Sequence, residues 1–315
     1  MWSIVEQIFP YAVAFTIPLL ITALGGLFSE RSGVVNIGLE GLMVVGSFTG
    51  ALVIFKLQPL LPEGAVWVGL LAAMAAGAVF SLLHAFASIN LSANQVISGT
   101  AINMIAGALT VFLARNMTGS GNIRIVSGLP RMDVPGLSSI PIIGKLFFTQ
   151  TYASTWLVLA ILLGSGFVLY KTAFGLRLRA CGEHPHAADS AGVNVYRMRY
   201  IAVMLSGAFS GLGGAAILVT YSGEFTGNVA GLGFLALASL IFGQWKPLGI
   251  LGATFFFGFA STIANVSQVV PALAAIPPVI LKVFPYVVTL VALVIFSKSS
   301  QAPRASGEPF DPGKR

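Results

Sequence analysis

Residues 25–41 read Gly-Gly-Leu-Phe-Ser-Glu-Arg-Ser-Gly-Val-Val-Asn-Ile-Gly-Leu-Glu-Gly and lie between two long apolar stretches. The run contains five glycines, one asparagine and two carboxylates, Glu30 and Glu40. Such residues interrupt a helix, and an interrupted helix at membrane depth is tolerated only inside protein or along a wet cavity. If the flanking stretches span a membrane, this run predicts a broken helix within a packed bundle.

The composition indicates that the flanking stretches do span a membrane. Apolar residues make up 56% of the 315 residues, charged residues make up 9%, and the mean hydropathy is +0.90. This balance excludes a water-soluble fold, which needs more polar surface. A spanning helix needs about 20 apolar residues. The sequence predicts an all-α polytopic membrane helix bundle with about nine hydrophobic segments: 9–28, 34–55, 65–89, 96–114, 152–170, 200–220, 231–243, 248–270 and 279–296.

The distribution of cations predicts the orientation of these segments. Lysine and arginine collect in 171–199 and after residue 296, and short loops rich in these residues stay in the cytoplasm. We expect a transmembrane domain at 1–296, a cytoplasmic loop at 171–199 and a cytoplasmic tail at 297–315 that is disordered or held against a partner. The amino terminus and loop 115–150, with a short interfacial helix at 138–148, then lie outside. The net charge of +7 reflects this topology, and we expect no nucleic-acid partner.

A weak internal repeat accompanies the glycine-rich run. Gly25-Gly26 is followed by Asn36, Gly38 and Gly41, and Gly213-Gly214 is followed by Asn228, Gly231 and Gly233. The predicted topology gives the two units opposite directions, as in the inverted repeats of transporters. Chance similarity between glycine-rich membrane helices is the alternative. Pairs of glycines four residues apart, at 46/50, 207/211 and 227/231, are typical of tight helix packing.

Five polar residues near the predicted helix breaks are candidates for a solute pathway. A carboxylate near the membrane interior faces a pathway or a partner cation, so Glu40 either contacts solute or forms a structural ion pair with Arg31, the reading we favour. Neutral amides suit a polar, uncharged solute, and the alternative is that they cap helices or bond between them. The candidate pathway residues are Asn36, Glu40, Asn94, Gln95 and Asn103.

Residues 182–195 in the basic loop predict a short cytoplasmic helix. Pro185 suits its first turn and Asp189 lies early in it. Ala187, Ala188, Ala191 and Gly192 fall on one face, and a face of small residues fits deep in the groove of another protein. The candidate docking residues are Gly182, Glu183, Pro185, Ala187, Ala188, Asp189, Ala191 and Gly192. His184 and His186 make a poor metal site, and we expect no metal.

The motifs that the sequence lacks bear on the source of energy. There is no G-x-x-x-x-G-K-[ST] phosphate loop, no G-x-S-x-G, no H-E-x-x-H and no cysteine cluster, since Cys181 is the single cysteine. Few ionisable residues fall inside the predicted segments, whereas a proton-coupled carrier needs a relay of them. We therefore expect a transport subunit that is not an enzyme, holds no cofactor and takes its energy from another polypeptide.

The run at 26–41 closely resembles the signature of permease subunits in bacterial ABC importers for nucleosides. Similar matches occur at 91–103, 174–192, 231–234, 242–247 and 285–286, so the resemblance covers almost the whole chain, and it is to the shorter of two permeases. The resemblance implies a second permease in a heterodimer, a cytoplasmic ATPase that holds ATP and Mg²⁺, an external or periplasmic substrate-binding lipoprotein, and a multi-pass location in the bacterial cell membrane. It also implies that 182–195 is the coupling helix.

These expectations leave alternatives open. The first is the same machine carrying ribose or another simple sugar, because sister subfamilies carry sugars on this fold. A secondary carrier that works alone and a membrane scaffold that transports nothing are alternatives of other classes.

Overall fold

The structure is a computed structural model that describes residues 2–62, 64–266, 277, 279–281, 283–284, 287, 290–291, 294 and 301–313. Seven helices of the described residues are long and apolar enough to span a membrane, which confirms the all-α polytopic bundle. The helices are α1 (Trp2–Arg31), α2 (Leu39–Leu57), α3 (Ala65–Ala85), α4 (Gln95–Thr118), α5 (Ile143–Phe147), α6 (Ala153–Lys171), α7 (Ala173–Glu183), α8 (Pro185–Ser190), α9 (Val195–Ile217), α10 (Leu232–Phe242) and α11 (Pro247–Val266). Single π-helical turns extend α3 through Phe86–Asn90 and α9 through Leu218–Ser222.

The described residues of the bundle have two distinct ends. At one end, the turn after α1 meets the segment between α6 and α9, because the guanidinium of Arg31 lies 3.8 Å from the carboxylate of Glu183. Residues 301–313 lie at the same end, where the Ala305 N–H donates to the Gly182 carbonyl. We call this end the tail end. The other end, which we call the opposite end, carries the connecting segments 58–62, 119–152 and 223–231.

Small strands organise the opposite end. β1 (Ile123–Arg124) pairs antiparallel with β4 (Glu224–Phe225), and β2 (Arg131–Met132) pairs antiparallel with β3 (Thr151–Tyr152). The predicted interfacial helix at 138–148 is shorter than expected, since only Ile143–Phe147 is helical. Lys145 in it forms a 3.3 Å ion pair with Glu6 of α1, which places the start of α1 at this end.

Helix α9 lies at the centre and packs on α1, α2 and α3 through glycines. A Cβ atom at Gly207 would collide with the carbonyl oxygen of Gly77, and one at Gly211 would collide with that of Ala73. The predicted packing role of the 207/211 pair is therefore confirmed. The 227/231 prediction is wrong, because Gly227 and Gly231 precede α10 with φ angles of +84° and +78°, where glycine is favoured for its backbone freedom.

The predicted helix break divides α1 from α2. Residues 34–36 are neither helical nor in a strand, so the predicted segment 34–55 becomes a non-helical start followed by α2 from Leu39. Helix α9 is likewise separated from α10 by 223–231. The first break starts at the tail end and the second at the opposite end, so the two units run in opposite directions, as the repeat predicted.

The remaining predicted segments are only partly described. Helix α10 has 11 residues, or about 16 Å, which is half a membrane thickness, and 231–243 is short as expected. Residues 267–270 of the eighth segment and most of the ninth, 279–296, lie outside the described residues. Within the ninth, the described residues are helical. Residues 301–313 of the tail are ordered and pack on their own chain, which corrects the expectation of a tail that is disordered or held against a partner.

Candidate functional site

Side chains from α3 and α4 hold the non-helical segment between α1 and α2. The Val35 N–H donates to Oε1 of Gln95 at 2.6 Å, and Nε2 of His84 lies 3.0 Å from the Val35 carbonyl oxygen. His84 is fully buried, and its Nδ1 lies 2.9 Å from the Ser98 hydroxyl. These hydrogen bonds replace the intrahelical hydrogen bonds that the backbone lacks at the break. A buried break at membrane depth requires such replacements.

Two asparagines complete the support of this segment. Asn36 is buried, donates from Nδ2 to the Ser206 hydroxyl at 2.9 Å and accepts from the Gly38 N–H at 3.0 Å. Asn103 accepts from the Gly41 N–H at 2.7 Å and donates to the Ile37 carbonyl at 3.1 Å. The amides of Asn36, Gln95 and Asn103 therefore position the backbone between α1 and α2. This matches the alternative in which the amides form hydrogen bonds between helices. Nε2 of Gln95 is buried without a hydrogen-bond partner among the described residues.

Glu40 joins the two broken units. Its Oε1 accepts from the Gly231 N–H at 2.8 Å and its Oε2 accepts from the Gly233 N–H at 2.6 Å. A carboxylate at a helix N-terminus satisfies unpaired N–H groups and complements the helix dipole. The first turn of α2 thus binds the N-terminus of α10. The favoured reading of an ion pair between Glu40 and Arg31 is wrong.

Arg31 and Glu30 instead hold the turn after α10. Arg31 donates from Nε and Nη2 to the Trp245 carbonyl at 3.2 and 2.8 Å, and the Trp245 indole N–H donates to the buried Glu30 carboxylate. Gln244 and Trp245 both have a φ of +52°, a backbone conformation that is costly for residues other than glycine. The C-terminus of α1 therefore fixes a strained turn that ends α10.

A cavity of about 470 Å³ enters the bundle from the opposite end. It reaches Phe15 and Ser47, near the middle of α1 and α2, and its wall includes Ala230 and Leu232, which flank the Gly231 bound by Glu40. The rings of Phe15 and Tyr221 meet edge to face at 5.7 Å in its wall. The other polar lining side chains are hydroxyls, amides and one carboxylate: Ser47, Ser222, Glu224, Thr226, Asn228, Ser261 and Asn265.

The cavity has the chemistry of a site for a small, polar, uncharged ligand. Its volume is within the range of small-molecule sites, and apolar walls with a few convergent polar groups are typical of them. None of the five predicted pathway residues lines it. The signal in the sequence is the run 221–228 between two apolar segments, in which the sequence pattern assigned a role only to Gly227, in a glycine pair, and to Asn228, in the repeat.

The predicted coupling element has different bounds and a different face. The helix is six residues, Pro185–Ser190, with Pro185 at its start as predicted, and not 182–195. Gly182 and Glu183 end α7. The helix ends because the Val193 N–H donates to the Ala188 carbonyl and the Gly192 N–H to that of Asp189, with Gly192 at a φ of +82°.

The small residues of this element point in two directions. Ala188 is only 5% exposed and Pro185 is also buried, so both face the chain itself. Ala187, Asp189, Ala191 and Gly192 are exposed. The predicted single face is therefore wrong: the exposed residues form the docking candidate, and Gly182 packs against the C-terminus of α1, where a Cβ would collide with the Arg31 carbonyl.

The remaining predicted residues lie apart from the cavity. Asn94 is exposed and caps α4 by accepting from the Val96 and Ile97 N–H groups at 2.9 and 3.1 Å.

The described residues contain no group of three or more histidine, cysteine or acidic residues that could hold a metal. Burial raises the pKa of the Cys181 thiol to about 11, so it stays protonated and unreactive at neutral pH.

Comparison with known proteins identifies relatives over the whole length. Residues 8–293 match the family described as branched-chain amino acid transport system, permease component. The chain is 48% identical to the guanosine ABC transporter permease protein NupQ of Bacillus subtilis, over 99% of both chains. It is 43% identical to the nucleoside ABC transporter permease protein NupC of Lactococcus lactis, over 93% of both chains.

A third relative bears a different substrate in its name. The putative glucose ABC transporter permease protein TsgC13 of Haloferax volcanii is 36% identical over 256 residues, which cover 79% of this chain and 74% of the relative. Identity is thus higher to NupQ and NupC than to TsgC13.

Proposed function

The chain belongs to the family of branched-chain amino acid transport system permease components, and on this basis we propose that it carries nucleosides into the cell as the membrane subunit of an ABC importer. Its 48% identity to a guanosine permease over 99% of both chains carries the proposal. The seven long apolar helices make it a multi-pass membrane protein, and we place it in the bacterial cell membrane with the tail end in the cytoplasm.

The cavity supports the assignment of the solute. A nucleoside has an aromatic base and a hydroxyl-rich sugar and carries no charge at neutral pH. Tyr221 is 56% exposed and offers a ring on which a base stacks, while Asn228 and Asn265 offer donors and acceptors for polar edges. Base–aromatic stacking contributes about 1–3 kcal/mol in other proteins.

We place the route of the solute from this cavity toward the junction of α2 and α10. Glu40 is the positioning residue there, because it holds the N-terminus of α10 that forms part of the cavity wall. Half-helices that meet near the midplane are a recurrent way to build a pathway whose access alternates. Asn36, Gln95 and Asn103 keep the pathway in shape by supporting 34–41.

The partners follow from the same proposal. A separate ATPase, which holds ATP and Mg²⁺, docks on the exposed residues of α8 and its C-terminal turn: Ala187, Asp189, Ala191 and Gly192. A second permease pairs with this chain in the membrane, and an external or periplasmic substrate-binding lipoprotein delivers the solute. This chain performs no catalysis and binds no cofactor of its own.

Uptake by the complete importer in proteoliposomes tests the proposal. With ATP inside and binding protein outside, labelled guanosine is expected to accumulate, and excess unlabelled nucleoside is expected to abolish the signal while excess ribose or glucose leaves it intact. Competition by the sugars alone would instead support the alternative of a simple-sugar importer, which the relative named for glucose favours. Uptake by this chain without an ATPase would refute both.

A further inference from the structure

Residues 301–313 are folded onto several elements of the tail end. The Ala305 N–H donates to the Gly182 carbonyl at 2.9 Å, and two residues later the Gly307 N–H donates to the Gly33 carbonyl at 3.0 Å. Gly182 lies in the last turn of α7, just before α8. Gly33 lies at the start of the break that leads to Glu40. One short stretch of backbone therefore bonds both to the predicted docking loop and to the turn that precedes the non-helical segment.

Arg199 of α9 adds a buried anchor. The side chain is 1% exposed, its Nε donates to the Ser32 carbonyl at 3.2 Å, and its Nη1 donates to the Glu308 carbonyl at 3.0 Å. A buried guanidinium is costly unless its N–H groups are bonded. Two of its three nitrogens depend on the turn after α1 and on the tail, so this cation holds them together.

Phe310 fixes the far end of the stretch. It is 4% exposed and lies between two rings, with centroids 5.1 Å from His186 of α8 and 5.6 Å from Tyr196 of α9. The apolar contact attaches the tail to the docking helix itself. The tail thus spans from α8 to the turn at 32–33 with a buried contact at each end.

We propose that residues 301–313 form a tie that makes α8 and the turn at 32–33 move together, with Arg199 and Phe310 as its positioning residues. The inference rests on the proposed function, because it takes α8 as the element that the ATPase moves. Segment 34–38 follows the tied turn directly and leads to Glu40 and the N-terminus of α10. Through the tie, a displacement of α8 reaches the pathway without relying on the bundle to transmit it.

The test uses the complete importer with Phe310→Ala in this chain, and it measures both solute uptake and ATP hydrolysis. We expect solute carried per ATP hydrolysed to fall about tenfold, the effect of about 1.4 kcal/mol lost from the tied state, while hydrolysis itself continues. Phe310→Leu keeps an apolar side chain in the same place and is expected to restore coupling. Arg304→Ala changes an exposed residue of the same tail and serves as the matched control.

Hydrogen exchange in the same samples shows whether the tie has opened. The peptides holding Ala305 and Gly307 are expected to be protected in the native chain and in Arg304→Ala, and to exchange quickly in Phe310→Ala. Unchanged solute carried per ATP in a Phe310→Ala complex whose tail exchanges quickly would overturn the tie, as would unprotected amides in the native chain. Absence of ATP-driven uptake by the native complex would refute the proposed function instead.

Discussion

Glu40 illustrates how one side chain takes a role that its neighbours in sequence do not reveal. A carboxylate nine residues from an arginine suggests an ion pair, yet its two oxygens are bound to N–H groups 191 and 193 residues away. Arg31 is engaged by the Trp245 carbonyl. The choice between these partners depends on where α10 begins in space, which no local pattern reports.

Glu40→Ala is expected to reduce uptake strongly, because the Gly231 and Gly233 N–H groups lose their acceptors at the cavity wall. Loss of such a cap costs about 1–2 kcal/mol, so the melting temperature of the purified chain should also fall. Glu40→Gln keeps one acceptor oxygen and should lie between Ala and the native residue. Lys56→Gln, an exposed charge change on the same helix, is the control; equal effects of all three variants would contradict the cap.

Tyr221→Ala is expected to lower the maximal rate of uptake about tenfold, since stacking contributes about 1–3 kcal/mol. Tyr221→Phe keeps the ring and should stay close to the native value. The measurement is the concentration dependence of guanosine uptake by the complete importer. Native behaviour of Tyr221→Ala would remove Tyr221 from the pathway.

At the scale of elements, glycine decides where helices meet and where they stop. Gly207 and Gly211 bring α9 against the backbone of α3, whereas Gly164 and Gly166 on α6 have open space around the position of a Cβ. The four-residue spacing in the sequence marks Gly207 and Gly211 as packing glycines but gives no sign that Gly164 and Gly166 have open space around them. The contact therefore predicts which of them tolerates a side chain.

Gly211→Val is expected to prevent a stable bundle, because its branched side chain has to enter the backbone of α3 at Ala73. Overpacking of this kind commonly costs about 1–3 kcal/mol and more where backbone blocks the shift. Gly164→Val, on another apolar helix, should be tolerated. Size-exclusion profiles and melting temperatures in detergent report the difference, and equal behaviour of the two variants would argue against the α3–α9 packing.

Ala187→Trp or Ala191→Trp is expected to abolish uptake while leaving membrane insertion intact, because each adds bulk to the exposed side of α8 and its C-terminal turn. Ala188→Trp is a poorer test, since Ala188 faces the chain itself. Uptake and co-purification of the ATPase are the measurements, and Ser120→Trp, exposed at the opposite end, is the control. Native uptake by both docking variants would exclude α8 as the contact.

At the scale of the whole molecule, the sequence predicted the class of fold and most of its helices, because apolar stretches of spanning length are recognisable from the sequence alone. It also predicted the break near Asn36, from glycines and polar residues that a continuous span does not need. It could not predict the cavity, because Phe15, Ser47, Tyr221 and Asn265 come from four separate segments that only tertiary packing joins. The tail was missed for the same reason: its polar sequence gives no sign of the buried Arg199 that receives it.

Labelling of a single introduced cysteine tests the central claim, that a partner ATPase drives this permease through the docking helix. In a Cys181→Ser background, Ala187→Cys is expected to react with a membrane-impermeant maleimide only in inverted membrane vesicles, and bound ATPase is expected to block the reaction. Reaction from outside intact cells, or no protection by the ATPase, would contradict the claim.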